Sequence, residues 1–186
     1  MPADIGDLRR GAVAWGVFPF AAQFPMPCLD EDRNVTTAAT IEDYVATRRG
    51  ASTVVHAQVK LRPLLLLHDG TRGDNQDVVG LRINSVKAHH KNSPSWPRIE
   101  AHEHPLFFHL PSDRGYGLPQ ESIIALNSVT SVHKSAIWKV IGSVNSHEMQ
   151  IINQRLVRVF GLDLAPMIAQ KAHELLRRAG ILQDPC

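Results

Sequence analysis

Residues 59–85, VKLRPLLLLHDGTRGDNQDVVGLRINS, restrict the fold more than any other stretch of the chain. Leu64, Leu65, Leu66 and Leu67 form an unbroken apolar run. Val79, Leu81 and Ile83 then recur with the period of two that a strand requires. Between the runs, Asp69-Gly70 and Gly73-Asp74-Asn75 supply turn chemistry. The first strand is entered by Arg62-Pro63 and the second ends in Asn84-Ser85. Antiparallel pairing therefore brings a guanidinium towards an amide and a hydroxyl. A guanidinium can bond two phosphate oxygens at once, so Arg62 is a candidate phosphate ligand. The alternative for Arg62 is a solvated charge at a strand end.

The rest of the chain extends this pattern. A strand is expected over 11–18, where Val13, Trp15 and Val17 alternate. Pro19, Pro25 and Pro27 then break the pattern, and a short helix over 40–49 starts at Thr40 with Glu42 and Asp43 in its first turn. Residues 21–57 read as an insertion between two strands, which either covers part of a groove beside Arg62 or enlarges the core. Residues 85–97 form a polar, basic loop. Residues 99–110 read as a mixed strand region, and 122–132 and 136–141 as strands, with Trp15 and Trp138 at core-facing positions. The period changes at Asn145, where Glu148 three residues on makes a capping box. Met149, Ile152, Leu156 and Phe160 follow at helical spacing up to Gly161. A last helix over 164–179, within a C-terminal helical extension at 163–186, carries Leu164, Ile168, Ala172 and Leu175 on one stripe. Strands first and helices last describe an α+β protein in which helices flank an antiparallel sheet or small barrel.

With 186 residues and 44% hydrophobic content, the chain builds one domain with a substantial core. Its formal charge is only +2, but residues 60–98 hold seven Lys/Arg against three Asp. Such a local basic face suits an anionic partner such as nucleic acid. Cys28 and Cys186 lie far apart, which implies a reducing compartment and no disulfide framework. Arg9-Arg10 before an apolar run has the look of an export signal. Asp4 and Asp7 upstream, Pro19 within the run, and the alternation above favour a strand instead. No stretch reaches the ~18–20 apolar residues of a membrane span.

Several chemistries can be weighed on their residues. His102 and His104 share a face if 99–110 is one strand, with His109 nearby, and zinc uses such pairs. No cysteine partner or HExxH accompanies them, so edge-strand histidines are favoured and no metal is expected. A GxSxG elbow, a phosphate-binding P-loop and a dinucleotide fingerprint are all missing. Trp96, the one large aromatic of the basic loop, is a candidate for stacking on a base.

The order of parts resembles the MazF/PemK family of toxin endoribonucleases. The matching segments are RGAVAWGVF, RPLLLLHDG, VVGLRINS and YGLPQESIIALNSVTSVHKSAIWKVIGSVNSHEMQIINQRLVRVFGL, within residues 9–162. The resemblance implies an SH3-like antiparallel β-barrel with C-terminal helices, spanning residues 1–186 as one domain. It also implies a cytoplasmic homodimer, a cognate antitoxin partner, and cleavage of single-stranded RNA with no cofactor or metal. The family's Arg before Pro falls on Arg62, and its Thr or Thr-Ser pair on Asn84-Ser85. The family's acidic position in the next long strand falls on Asn127-Ser128. The sequence thus departs from the family at Asn84, at Asn127 and in the 21–57 insertion.

Metal-free RNA cleavage uses the ribose 2′-hydroxyl as nucleophile and leaves a cyclic phosphate. It needs a base, a cation for the phosphorane and an acid for the leaving oxygen. The resemblance assigns the catalytic positions to Arg62, Asn84 and Ser85. Lys60, Arg82, Lys87, Lys91 and Trp96 are the expected RNA contacts, and His68 a possible acid or base. No carboxylate for the base is evident in the sequence. A chain of the same fold that binds RNA or protein without cleaving is the alternative.

Overall fold

The computed structural model describes residues 5–19, 25–29, 35–40, 42, 59–68, 70–71 and 76–178. Strand β4 (Val59–Leu66) is its centre, because Leu64, Leu65 and Leu66 are each fully buried, on both faces of the sheet. On one side it pairs antiparallel with β1 (Ala12–Pro19), and on the other with β5 (Asp77–Ser85). The short pair β2 (Met26–Leu29) and β3 (Val35–Ala38) makes a separate two-stranded sheet within residues 21–57. The helix expected over 40–49 lies outside the described residues, apart from Thr40 and Glu42. So does most of the 21–57 segment expected either to cover part of a groove beside Arg62 or to enlarge the core.

After β5 come two short helices, α1 (Ala88–Lys91) and α2 (Trp96–Glu100), then β6 (Phe107–Leu110), β7 (Ser122–His133) and β8 (Ile137–Ser143). The chain ends in α3 (Ser146–Val159) and α4 (Ala165–Arg178). The six-stranded antiparallel sheet has the order β6-β7-β5-β4-β1-β8. The strand expected from residue 99 is therefore corrected. Pro97 suits the first turn of a helix, where no amide donor is needed, and His102 at φ 55 then turns the chain. Trp138 is also corrected. It is 49% exposed, and Ile137 fills the core instead, because β8 shifts register against β1 between Trp15 and Gly16.

The sheet buries its two faces differently. Alternation sends Val13, Leu65, Leu81, Ile83, Phe108 and Ile124 to one face, where α3 covers them with Met149 and Ile152. The other face carries two smaller clusters. At one end Leu8, Ala12, Ala14, Phe18, Leu64 and Leu66 pack together, and at the other Trp96 and Ile99 pack on Ile123.

Strands β6 and β8 are the edges of the ladder, and the loop after β6 spans the gap between them. Its Gly117 (φ +71) and the Gly142 of β8 meet backbone to backbone. A Cβ at Gly117 would collide with the Ile141 carbonyl, and one at Gly142 with the Tyr116 carbonyl. Tyr116 then reaches α3, where its hydroxyl donates to Glu148 Oε1 at 2.6 Å. The other Glu148 oxygen accepts from Asn145 N at 3.1 Å, and Asn145 Oδ1 accepts from Glu148 N at 2.9 Å, completing the expected capping box. The result is an α+β fold with a barrel-like sheet, seamed by a loop and not closed by a ladder, and with C-terminal helices.

Candidate nucleic-acid site

The ladder between β4 and β5 runs through three pairs, Leu64↔Arg82, Leu65↔Leu81 and Leu66↔Gly80. Continued two residues, this register sets Arg62 opposite Asn84. Backbone pairing between the two strands stops before that point, although β4 still pairs with β1 through Gly16↔Arg62 and β5 with β7 through Asn84↔Ile123. The sheet thus parts between Arg62 and Asn84 while each strand keeps its outer neighbour.

Facing follows from the pleat. Arg62 and Lys60 lie on the face of Leu64 and Leu66, as do Arg82, which pairs with Leu64, and Asn84, two residues on. This is the face that α3 leaves uncovered. Its two apolar clusters flank a polar strip of exposed Lys60 and Arg82 and half-buried Arg62 and Asn84. Among the described residues the Arg62 guanidinium has no hydrogen bond or ion pair.

Ser85 falls on the opposite face of β5, paired with Ser122, and its Oγ accepts from Gln120 Nε2 at 2.6 Å. The strip therefore carries Arg62 and Asn84 on one face, across the parting of their strands, and sets the Ser85 hydroxyl on the other.

Other expected groups lie elsewhere. His68 is six residues from Arg62 along an extended chain, about 20 Å away. Its Nε2 accepts from Val79 N at 2.9 Å, so it caps the far end of the β4–β5 pair and cannot share a phosphate with Arg62. Trp96 is 9% exposed, packed with Ile99 and Ile123 and edge-on to His109 at 5.3 Å. Its ring faces serve packing, and the stacking role expected of it is withdrawn. Lys87 is exposed at the start of α1, where its backbone N donates to His90 Nδ1. Asn127 is exposed on β7, within the irregularity where the β5–β7 register jumps between Leu81 and Ile83.

Lys91 is not a free cation. Its Nζ lies 2.5 Å from Glu121 Oε2 and 5.8 Å from the centre of the Trp96 ring. The other Glu121 oxygen meets His109 Nε2 at 2.8 Å. The hydrogen bond from Lys91, aided by His109, holds the Glu121 carboxyl below its usual range against the opposing effect of burial. Glu121 was not evident from the sequence, because its partners come from α1 and β6 and no spacing records that meeting.

His102, His104 and His109 do not converge. His102 stacks on Phe108 at 4.2 Å, His104 Nδ1 accepts from Leu106 N, and His109 is held by Glu121. Burial lowers the pKa of His102 and of His104. Among the described residues no group of three or more His, Cys, Asp or Glu is arranged to hold a metal ion, and no helix is long and apolar enough to cross a membrane.

Several solved structures are similar to this chain. The endoribonuclease in complex with its cognate antitoxin from Mycobacterial species is 16% identical, with a TM-score of 0.42, over 83% of this chain and 96% of that one. The Mycobacterium tuberculosis toxin MazF-mt6 is 17% identical, with a TM-score of 0.42, over 56% of this chain and 90% of that one. MazE-MazF (Form-II) from Deinococcus radiodurans is 12% identical, with a TM-score of 0.47, over 83% and 96%. No curated protein matches the sequence. The model of the PemK-like, MazF-like toxins of type II toxin-antitoxin systems matches residues 47–160. The chain belongs to that family.

Proposed function

We propose that the chain is a toxin endoribonuclease that cleaves single-stranded RNA without a metal, through the ribose 2′-hydroxyl. The observation that carries this reading is the common facing of Arg62 and Asn84 on the strip that α3 leaves uncovered, in a chain of this toxin family. Arg62 neutralises the charge that develops on the phosphorane, a role in which a preorganised donor is worth about 10²–10³ in rate. Asn84 stands where the family has threonine and donates its amide N–H to a phosphate oxygen. Lys60, Arg82 and Lys87 hold neighbouring phosphates through charge, and Ser85 supports the end of β5 through Gln120. The protein works as a cytoplasmic homodimer and is held inactive by a cognate antitoxin that competes with RNA for this strip.

The second reading is a binding protein of the same fold that does not cleave. Asn84 in place of threonine and Asn127 in place of a carboxylate favour it. Incubation with end-labelled single-stranded RNA in excess EDTA separates the two. Fragments ending in a 2′,3′-cyclic phosphate are expected. Retarded but intact RNA would support binding alone.

A further inference from the structure

We infer that Glu121 is the carboxylate that takes the 2′-hydroxyl proton, a role for which the sequence offers no candidate. The inference rests on the ribonuclease reading and adds a residue to it.

The placement follows from strand register. Ile123 of β7 pairs with Asn84 on one side and with His109 of β6 on the other. Glu121 precedes Ile123 by two residues, so it faces the same way, and its contact with His109 confirms that direction. Its own carbonyl accepts from Val86 N at 2.9 Å, which fixes it beside the end of β5. Arg62 of β4, Asn84 of β5 and Glu121 at the entry to β7 thus stand on one face of the sheet. One strand step and one two-residue step separate Asn84 from Glu121, about 8 Å between Cα atoms, and Arg62 stands beyond Asn84 across the parting of β4 from β5.

That arrangement fits the reacting group. In near-attack geometry O2′ lies about 3–3.5 Å from phosphorus. A hydrogen bond of about 2.8 Å at each end joins O2′ to a carboxylate and a phosphate oxygen to a guanidinium. Together these cover about 10 Å, so a carboxylate and a guanidinium on the same face can hold one substrate without touching each other. The Glu121 side chain keeps 27% of its surface exposed, so it is open to a ligand while its orientation is held. Among the described residues, Lys91 from α1 and His109 from β6 are the ionisable groups that face it. They keep it ionised and aimed, and Trp96 and Ile99 pack beside it on Ile123.

In the step itself, the Glu121 carboxylate accepts the proton of the 2′-hydroxyl as O2′ bonds to phosphorus. The bond from phosphorus to the 5′-oxygen breaks, and that oxygen takes a proton from solvent water. Glu121 later returns its proton to solvent. The products are a 2′,3′-cyclic phosphate and a 5′-hydroxyl end.

The test is single-turnover cleavage of single-stranded RNA across pH 3–8 with wild type, Glu121→Gln and Lys91→Met, alongside thermal melts of each. Glu121→Gln keeps the shape of the side chain and is expected to lower the rate about 100-fold, and to abolish the acidic limb of the rate profile. Lys91→Met removes the group that depresses the Glu121 pKa, so the acidic limb should move to higher pH. A purely structural clamp would leave the acidic limb in place in both variants. Glu121→Gln cleaving within about threefold of wild type, or an acidic limb that stays in place in Lys91→Met, overturns the assignment and leaves the ribonuclease reading intact. RNA left whole by the wild-type protein at every pH removes that reading itself, and this one with it.

Discussion

The Tyr116 hydroxyl donates to Glu148 Oε1 at 2.6 Å, which ties the loop that seams the sheet to the first turn of α3. Glu148 is 7% exposed and already serves the helix cap. Tyr116→Phe would leave one oxygen of a buried carboxylate without its donor, and should cost about 1–3 kcal/mol in a urea titration. Burial and the Glu148 hydrogen bond also raise the Tyr116 pKa above its ordinary value of about 10. A raised pKa means that the folded state holds the proton more tightly than the unfolded state does. The stability it contributes is complete below about pH 10 and falls as pH rises beyond that. Melts of wild type should therefore drop above pH 10, and those of Tyr116→Phe should lack that component.

The same seam makes a second prediction, on glycine. Gly115 and Gly117 both have positive φ, but a Cβ at Gly115 meets nothing within 4 Å, whereas one at Gly117 strikes the Ile141 carbonyl. Gly115→Ala should cost about 1 kcal/mol, from left-handed backbone strain alone. Gly117→Ala adds displacement of β8 and should cost about 2–3 kcal/mol. Equal midpoints in urea for the two variants would mean that the loop does not bear on β8.

His68 and Val79 give a prediction that separates stability from chemistry. His68→Ala deprives the Val79 N–H of its acceptor and should destabilise by about 1–2 kcal/mol. Cleavage per folded molecule should remain within twofold of wild type, since the imidazole lies at the far end of β4 from Arg62. A large loss of rate at full folding would restore His68 to the reaction.

Much of the scaffold could be read from residues whose environment is local. Leu64, Leu65 and Leu66 announce a strand buried on both faces, and Asn145 with Glu148 announces a helix start, because each signal lies within a few residues of chain. Trp96 misled because a polar, proline-containing segment was read as a loop, whereas α1 and α2 fold it back over Ile123. His102 and His104 misled because one left-handed residue, His102, ends the helix and no strand follows until Phe107. The facing of Ser85 needed the strand register, and a shift of one residue moves a side chain through the sheet. Glu121 could not be found at all from spacing, since His109 lies on a different strand and Lys91 on a helix.

The last prediction concerns the strip itself. Arg62 is half-buried between β1 and the parting of β4 from β5, and among the described residues its guanidinium is uncommitted. Among the described residues its removal breaks no hydrogen bond or ion pair, so Arg62→Ala should melt within about 1 kcal/mol of wild type, the loss coming from the packing of its stem. Cleavage should fall about 10²–10³-fold, because the phosphorane charge loses its fixed counter-charge. Arg62→Lys should recover only part of that loss, since an ammonium is a point charge without the two-pronged donor geometry. Arg82→Ala and Lys60→Ala act through phosphate charge, so each should weaken RNA binding and reduce its salt dependence, with the cleavage rate at saturating RNA little changed. Single-turnover rates and filter binding at several salt concentrations measure both effects. If Arg62→Ala cleaves as fast as wild type at saturating RNA, the phosphate is held elsewhere and the strip is a binding surface only.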